Sequence, residues 1–198
     1  MIIDENLLLD NGAVYEEYSA RETIYENGGT PHYYFQIING TVELNNYHED
    51  GKEFTLNILS EGQSIGESLL FGNKKYPMNA VAKTDTRVLK LEKSSFLQLL
   101  SKNQEVMFKL FEHLSDRLFY KYIMLFNNSA IDPQAKIKAL MDYYKEYHCR
   151  KDKDRYRIPL TRQQIANLTG LRVETVIRAV KKMEKDKLVD IKDRQIYY

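Results

Sequence analysis

One cysteine, Cys149, stands in 198 residues. It excludes an intrachain disulfide and any cysteine-only cluster site, and it points to a reducing compartment. The basic neighbours in Tyr147-His148-Cys149-Arg150 suit a lowered thiol pKa, although an incidental cysteine is the simpler reading. No apolar run approaches the ~20 residues needed to cross a bilayer, so no membrane partner is expected. Met1-Ile2-Ile3-Asp4-Glu5 lacks both the basic region and the apolar core of a secretion signal, and a cytoplasmic location is expected. Histidines are few. His32, His48, His113 and His148 are scattered without ligand spacing, so neither a metal nor another cofactor is expected. Also missing are a nucleophile–base pair and a Gly-rich phosphate loop, which argues against an enzyme.

The chain also lacks an overall charge of one sign, with 29 basic against 28 acidic residues. That balance hides an asymmetry. Residues 1–129 hold 12 Lys and Arg against 18 Asp and Glu, whereas residues 130–198 hold 17 against 10. An acidic region joined to a basic one suggests that only the second meets a polyanion.

Within the basic region, the stretch from Leu160 to Arg178 reads as two short helices around a tight turn. Thr161 is a helix cap whose hydroxyl takes an orphan backbone N–H. Ile165, Ala166 and Leu168 form an inward face, and Gly170 supplies the left-handed geometry that ends the first helix. Val176, Ala179, Val180 and Met183 then fall at helical spacing. Glu174, Arg178 and Lys181 share the opposite face of that second helix. Such a stripe also suits an ordinary solvated face, but Leu188 to Tyr198 reads as two short strands around a charged turn, a β-wing. Together they describe a winged helix-turn-helix that lays its second helix in a DNA groove.

From about Gly12 to Leu91 the pattern changes to period two. Tyr33-Tyr34-Phe35-Gln36-Ile37-Ile38 leads into Asn39-Gly40, a strong two-residue hairpin signal, and Thr41-Val42-Glu43-Leu44 resumes the alternation. A second hairpin is expected at Glu49-Asp50-Gly51-Lys52, before Phe54 to Leu59. Further strands are expected at Ala80-Val81-Ala82 and Arg87 to Leu91. This many evenly spaced strands predict a compact antiparallel roll. Tyr33, Tyr34 and Tyr76 are read as roll core and rim.

Between the two regions, Ser94 or Ser95 is expected to cap a helix that begins near Phe96, breaks around Lys102-Asn103 and runs to about Phe126. Met107, Phe111, Leu114, Leu118, Tyr122 and Leu125 approximate a heptad seam for a second copy of the chain. Burial against the chain's own roll would need the same periodicity. Asn127-Asn128-Ser129-Ala130 is the expected hinge. Asp132-Pro133 starts the next helix, whose buried face is Ile137, Leu140, Met141 and Tyr144.

The strand order, followed by Gly62-Gln63-Ser64-Ile65-Gly66-Glu67, resembles the cyclic-nucleotide-binding β-roll. With Thr161-Arg162-Gln163-Gln164-Ile165 and Glu174-Thr175-Val176-Ile177-Arg178, residues 10–198 resemble the Crp/Fnr family of bacterial transcription regulators. The resemblance implies an α+β fold: an N-terminal antiparallel β-roll (double-stranded β-helix), a long dimerisation helix and a C-terminal winged helix-turn-helix. The expected divisions are 1–93, 94–129 and 130–198. It implies a homodimer on a two-fold symmetric double-stranded DNA operator, with RNA polymerase as a further partner and an effector of unknown identity. Glu174 and Arg178 match base-reading positions, Val173 falls on the first of them, and Arg172, just before it, is a further base-reading candidate. Val173 stands where the cyclic-AMP-dependent member has Arg, so a different operator is expected. Arg162, Gln163 and Thr175 match phosphate-contacting positions, and Lys181, on the exposed face of the second helix, is a further phosphate-binding candidate.

The effector pocket implied by the resemblance comprises Gly66, Glu67, Ser68, Met78 and Asn79. In nucleotide-binding members the Glu takes a ribose hydroxyl and an Arg-Ser pair holds the cyclic phosphate. Here that pair falls on Tyr76-Pro77-Met78, and Lys74 and Lys75 lack the guanidinium fork. Tight cyclic AMP binding is therefore not expected, because the buried phosphate would lose its charge-assisted partner. Glu67 is expected to be satisfied by nearby backbone donors. The alternatives are a ligand-binding module, or a jelly-roll-type enzyme, whose C-terminal domain does not read DNA specifically.

Overall fold

The computed structural model describes residues 1–148 and 156–198. Cys149 and the expectation attached to it lie outside the described residues. By its internal contacts the chain divides into two compact units, Met1–Leu118 and Phe119–Tyr198.

The first unit opens with helix α1 (Glu5–Asp10) and carries eight strands: β1 (Val14–Tyr18), β2 (Thr23–Tyr25), β3 (Tyr33–Asn39), β4 (Thr41–Tyr47), β5 (Glu53–Ser60), β6 (Ser64–Ile65), β7 (Asn79–Ala82) and β8 (Thr86–Glu92). They form two four-stranded antiparallel sheets, ordered β1-β8-β3-β6 and β2-β7-β4-β5. Phe35, Ile37, Val42, Leu44, Leu59, Ile65, Ala80, Ala82 and Val88 make one buried core. The alternate residues of β3 and β8, Tyr34, Leu89 and Leu91, enter a second core with Ile3 and Leu8 of the N-terminal segment and Phe96, Leu99, Leu100 and Leu110 of the following helices. Alternation therefore puts apolar groups on both faces of these strands, each face covered by a different layer.

The Asn39-Gly40 signal is a corner rather than a hairpin. β3 and β4 follow each other in sequence but belong to different sheets. Gly40 sits at φ 101, and a Cβ there would come within 2.4 Å of Thr86 Oγ1 and 2.7 Å of the Asp85 carbonyl. Only glycine lets the backbone pass this close while the chain changes sheets. The second expected hairpin is present: β4 pairs with β5 from Tyr47↔Glu53 to Thr41↔Ser60.

Helix α2 (Lys93–Lys102) starts earlier than the Ser94/Ser95 caps predict; its N-cap is Glu92, which makes no side-chain capping bond. β8 ends at that same Glu92, so the strand hands over directly to the helix. The expected break falls at Asn103, whose side chain donates to the Leu99 carbonyl at 2.9 Å. Helix α3 (Gln104–Asn128) follows, supplying its first part to one unit and its end to the other.

In the second unit, α4 (Pro133–His148) buries Ile137, Leu140, Met141 and Tyr144 as its spacing predicts. Asp132 caps it, accepting from the Ala135 amide at 3.0 Å. Then come β9 (Arg157–Ile158), α5 (Arg162–Thr169), α6 (Val173–Lys185), β10 (Asp190–Lys192) and β11 (Gln195–Tyr197). The wing has three strands, ordered β10-β11-β9. Sequence reading found only β10 and β11, because a two-residue strand carries no period.

Candidate nucleic-acid interface and effector cassette

Helix α5 is fixed at both ends by local chemistry. Thr161 and Gln164 form a reciprocal capping box, the threonine hydroxyl accepting from the Gln164 amide and the Gln164 side chain accepting from the Thr161 amide. Gly170, at φ 68, closes the helix, and its amide and that of Leu171 both donate to the Ala166 carbonyl. Val176, Ala179, Val180 and Met183 bury one face of α6, each worth about 1–3 kcal/mol of apolar transfer. The other face is thereby pinned outward. Glu174, Arg178 and Lys181 are exposed on it, together with Ile177.

The remaining DNA candidates fall around this face. Arg172 is the exposed N-cap of α6, with Val173 and Thr175 half-buried in its first turn. Gln163 is exposed on α5 and donates to Asn167 Oδ1 at 2.8 Å. Arg162 is half-buried, and its Nη1 donates to the Arg194 carbonyl in the wing. A groove of about 740 Å³ runs between α6 and the wing, with Leu160 and Ile177 in its lining and Arg157, Arg162, Lys181 and Arg194 as its cations. Among the described residues, no acidic side chain lines it.

In the first unit, Gly66 holds φ 70 and Glu67 opens a short 3-10 turn, Glu67–Phe71. Glu67 is completely buried, and its partner is Arg117 of α3, not the backbone donors expected from sequence. Arg117 Nη1 lies 2.9 and 3.1 Å from the two carboxylate oxygens, and Nη2 donates to the Ser64 carbonyl. This correction has a simple cause: the pair joins residues 50 apart in sequence, beyond any local pattern. Beside it, Tyr25 and Tyr76 stack with centroids 3.6 Å apart. A Cβ on Gly66 would sit 2.9 Å from Tyr76 Cε1 and 3.0 Å from Tyr25 Oη. Burial, then the charge of Glu67, pushes the Tyr76 hydroxyl up to about 12. Tyr25 is raised further, by burial first and then by Tyr76.

Of the other expected pocket residues, Met78 is buried in the roll core and Ser68 is exposed. Asn79 is committed to the Asn27 amide at 2.9 Å and to Asn45. Lys74 and Lys75 are exposed, Tyr34 is fully buried, and Tyr33 lies at the rim. His113 of α3, unnoticed as a site residue in the sequence, completes this neighbourhood. Burial, then the charge of Arg117, holds its imidazole down at about 4.

The expected seam of α3 divides. Met107 and Leu114 pack against the second core of the roll, whereas Phe111, Leu118, Tyr122 and Leu125 are exposed. Phe108, Phe119 and Phe126 add to that exposed apolar surface. Tyr120, on the opposite side, packs on Tyr143 of α4 at 4.8 Å.

A β-roll carrying a Gly-Glu turn, followed by a winged helix-turn-helix, defines the class of two-part bacterial transcription regulators. Residues 15–103 match the cyclic nucleotide-binding domain and residues 137–197 the Crp-like helix-turn-helix domain. Among curated relatives, the cAMP-activated global transcriptional regulator CRP of Haemophilus influenzae is 28% identical over 176 residues, covering 87% of this chain and 78% of its own. Among solved structures, the c-di-GMP responsive global regulator CLP of Xanthomonas campestris aligns at TM-score 0.77 and 20% identity over 98% of each chain. A CooA mutant from Carboxydothermus hydrogenoformans aligns at TM-score 0.80 and 17% identity over 98% of this chain and 87% of its own. The chain belongs to the Crp/Fnr family of DNA-binding transcription regulators. Its relatives are regulators rather than enzymes, and no described helix is long and apolar enough to cross a membrane.

Proposed function

We propose that two copies of this chain pair through α3 and read a two-fold symmetric operator, without cyclic AMP as the effector. The observation that carries the DNA reading is the exposed stripe Glu174, Arg178 and Lys181, on a helix whose opposite face is buried and whose preceding turn is locked. Glu174 accepts from a cytosine amino group and Arg178 forks onto guanine, while Val173 suits a thymine methyl and Arg172 adds a donor at the helix start. Arg162, Gln163, Thr175 and Lys181 set register along the phosphates. The exposed Phe111, Leu118, Tyr122 and Leu125 supply the dimer seam, which places two recognition helices one DNA turn, about 34 Å, apart. The sensor division 1–93, the connecting helix and hinge 94–129 and the DNA-binding division 130–198 describe the roles of the parts. RNA polymerase as a partner follows from the family alone.

Where a cyclic phosphate would meet its Arg-Ser pair, this chain has Tyr76-Pro77-Met78, with Tyr76 buried against Tyr25, and Glu67 is already held by Arg117. Calorimetry is expected to find no micromolar cyclic AMP binding; a micromolar Kd sinks that part of the reading. The DNA reading is tested by selecting random duplexes on the purified, ligand-free protein at moderate salt. Enrichment of a symmetric site is expected. Salt-sensitive retention with no enrichment points to a missing effector, and no retention at all rejects the assignment.

A further inference from the structure

Arg162 is the first residue of α5, inside the capping box that Thr161 forms with Gln164, so its backbone is held by the reciprocal bonds on either side. From there its Nη1 donates to the Arg194 carbonyl, 32 residues away at the tip of the wing. The wing turn needs such support. Asp193 and Arg194 hold φ 48 and 62, the left-handed region that side chains other than glycine resist. A two-residue turn of this kind suits a tight hairpin, and Asp193 is a usual first residue of it, but Arg194 stands where glycine is the rule. A hydrogen bond from a guanidinium to that carbonyl is stronger than a neutral one and helps hold the conformation. Burial around Arg162 lowers its pKa from the ordinary guanidinium value, in keeping with a side chain turned into the protein.

The rest of the wing's attachment lies at its base. β9 pairs with β11 at Ile158↔Ile196 and Arg157↔Tyr197, Tyr156 and Tyr198 exchange backbone hydrogen bonds at 2.8 Å, Tyr198 Oη donates to Asp142, and nearer the turn Arg157 Nε reaches Gln195 Oε1 at 3.4 Å. Lys192, Asp193 and Arg194 stand exposed at the tip. Arg194 also lines the groove shared with Arg162 and Lys181.

We infer that Arg162 is a positioning residue: it tethers the wing turn to the start of α5 and so presents Arg194 to DNA, in addition to its own phosphate contact. This deepens the DNA-binding reading above, with one arm of its test independent of that reading. Without DNA, amide hydrogen exchange at the turn, residues 192–195, is expected to rise several-fold in Arg162→Ala, with partial return in Arg162→Lys, which keeps one cationic donor. Unchanged exchange in Arg162→Ala overturns the tether.

On a selected operator, loss of a single phosphate contact lowers the salt slope by about one. Arg162→Ala is expected to lower it by about two, because Arg194 is lost with it. The Arg162→Ala/Arg194→Ala double variant is expected to bind no worse than Arg162→Ala alone. Additive losses overturn the inference and make Arg162 an independent phosphate contact. Should no DNA bind, the exchange result still decides the tether while the DNA reading fails by itself.

Discussion

The roll and the winged unit use their charged side chains in opposite ways. In the roll, Glu67 is buried on Arg117 and Glu43 is buried on Lys83 at 3.0 Å, so these carboxylates are spent on the protein itself. In the winged unit Glu174, Arg178 and Lys181 enter no ion pair among the described residues and stay in solvent. Net charge therefore says less than placement. The acidic unit turns these carboxylates inward, whereas the second helix of the helix-turn-helix keeps these three charges in solvent.

The contrast breaks most severely at the buried pair. Arg117→Ala leaves Glu67 as a buried charge without its partner, which costs about 3–5 kcal/mol. Denaturant unfolding followed through a roll signal is expected to show that loss, and Glu67→Gln/Arg117→Met is expected to recover most of it. An unchanged midpoint in Arg117→Ala means the pair is solvated in solution.

A cut in the exposed set acts elsewhere. Arg178→Ala is expected to leave folding alone and to lose about 1–3 kcal/mol on the selected operator. Equal losses on operator and random DNA would reassign Arg178 to the phosphates.

Acid provides a finer test. His113 has its folded pKa held down at about 4, below the ordinary 6.5, so the unfolded chain binds more protons between these values. Its contribution is present above the unfolded pKa and is lost as pH falls from about 6.5 towards 4. Arg117 opposes its charging, whereas Glu67 and Asp116 favour it. With allowance for partial solvent screening, the loss is on the order of 1–2 kcal/mol. His113→Gln is expected to flatten that part of the stability–pH curve; the same slope in the variant assigns it to other groups.

The smallest effect sharpens the winged side. Thr161→Ala removes half of the capping box and is expected to lower that unit's stability by about 1 kcal/mol. No change in its melting transition would show that packing alone holds α5.

What could be read from the sequence follows the range of the interactions. The helix-turn-helix was legible because its determinants are neighbours: Thr161 with Gln164, Gly170 with Ala166, and Val176 with Ala179, Val180 and Met183. Strand positions in the roll were legible from alternation, but of the strand partners only β4 with β5, across the Glu49–Lys52 turn, was. Asn39-Gly40 announces a turn and says nothing of which sheet the next strand joins. The α3 seam was half legible, since the same spacing serves the roll core at Met107 and Leu114 and open surface at Tyr122 and Leu125. Arg117 was invisible as the partner of Glu67. No local rule joins a 3-10 turn to a helix 50 residues later.

That separation also bears on how the chain is made. At about 5–20 residues per second, the ribosome delivers Arg117 roughly 3–10 seconds after Glu67. During that interval the last two strands of the roll, β7 and β8, are synthesised, yet the carboxylate still lacks Arg117. The nascent roll must keep its Gly66–Glu67 turn hydrated until α3 is made, so closing the polar centre is a late event in the birth of this protein.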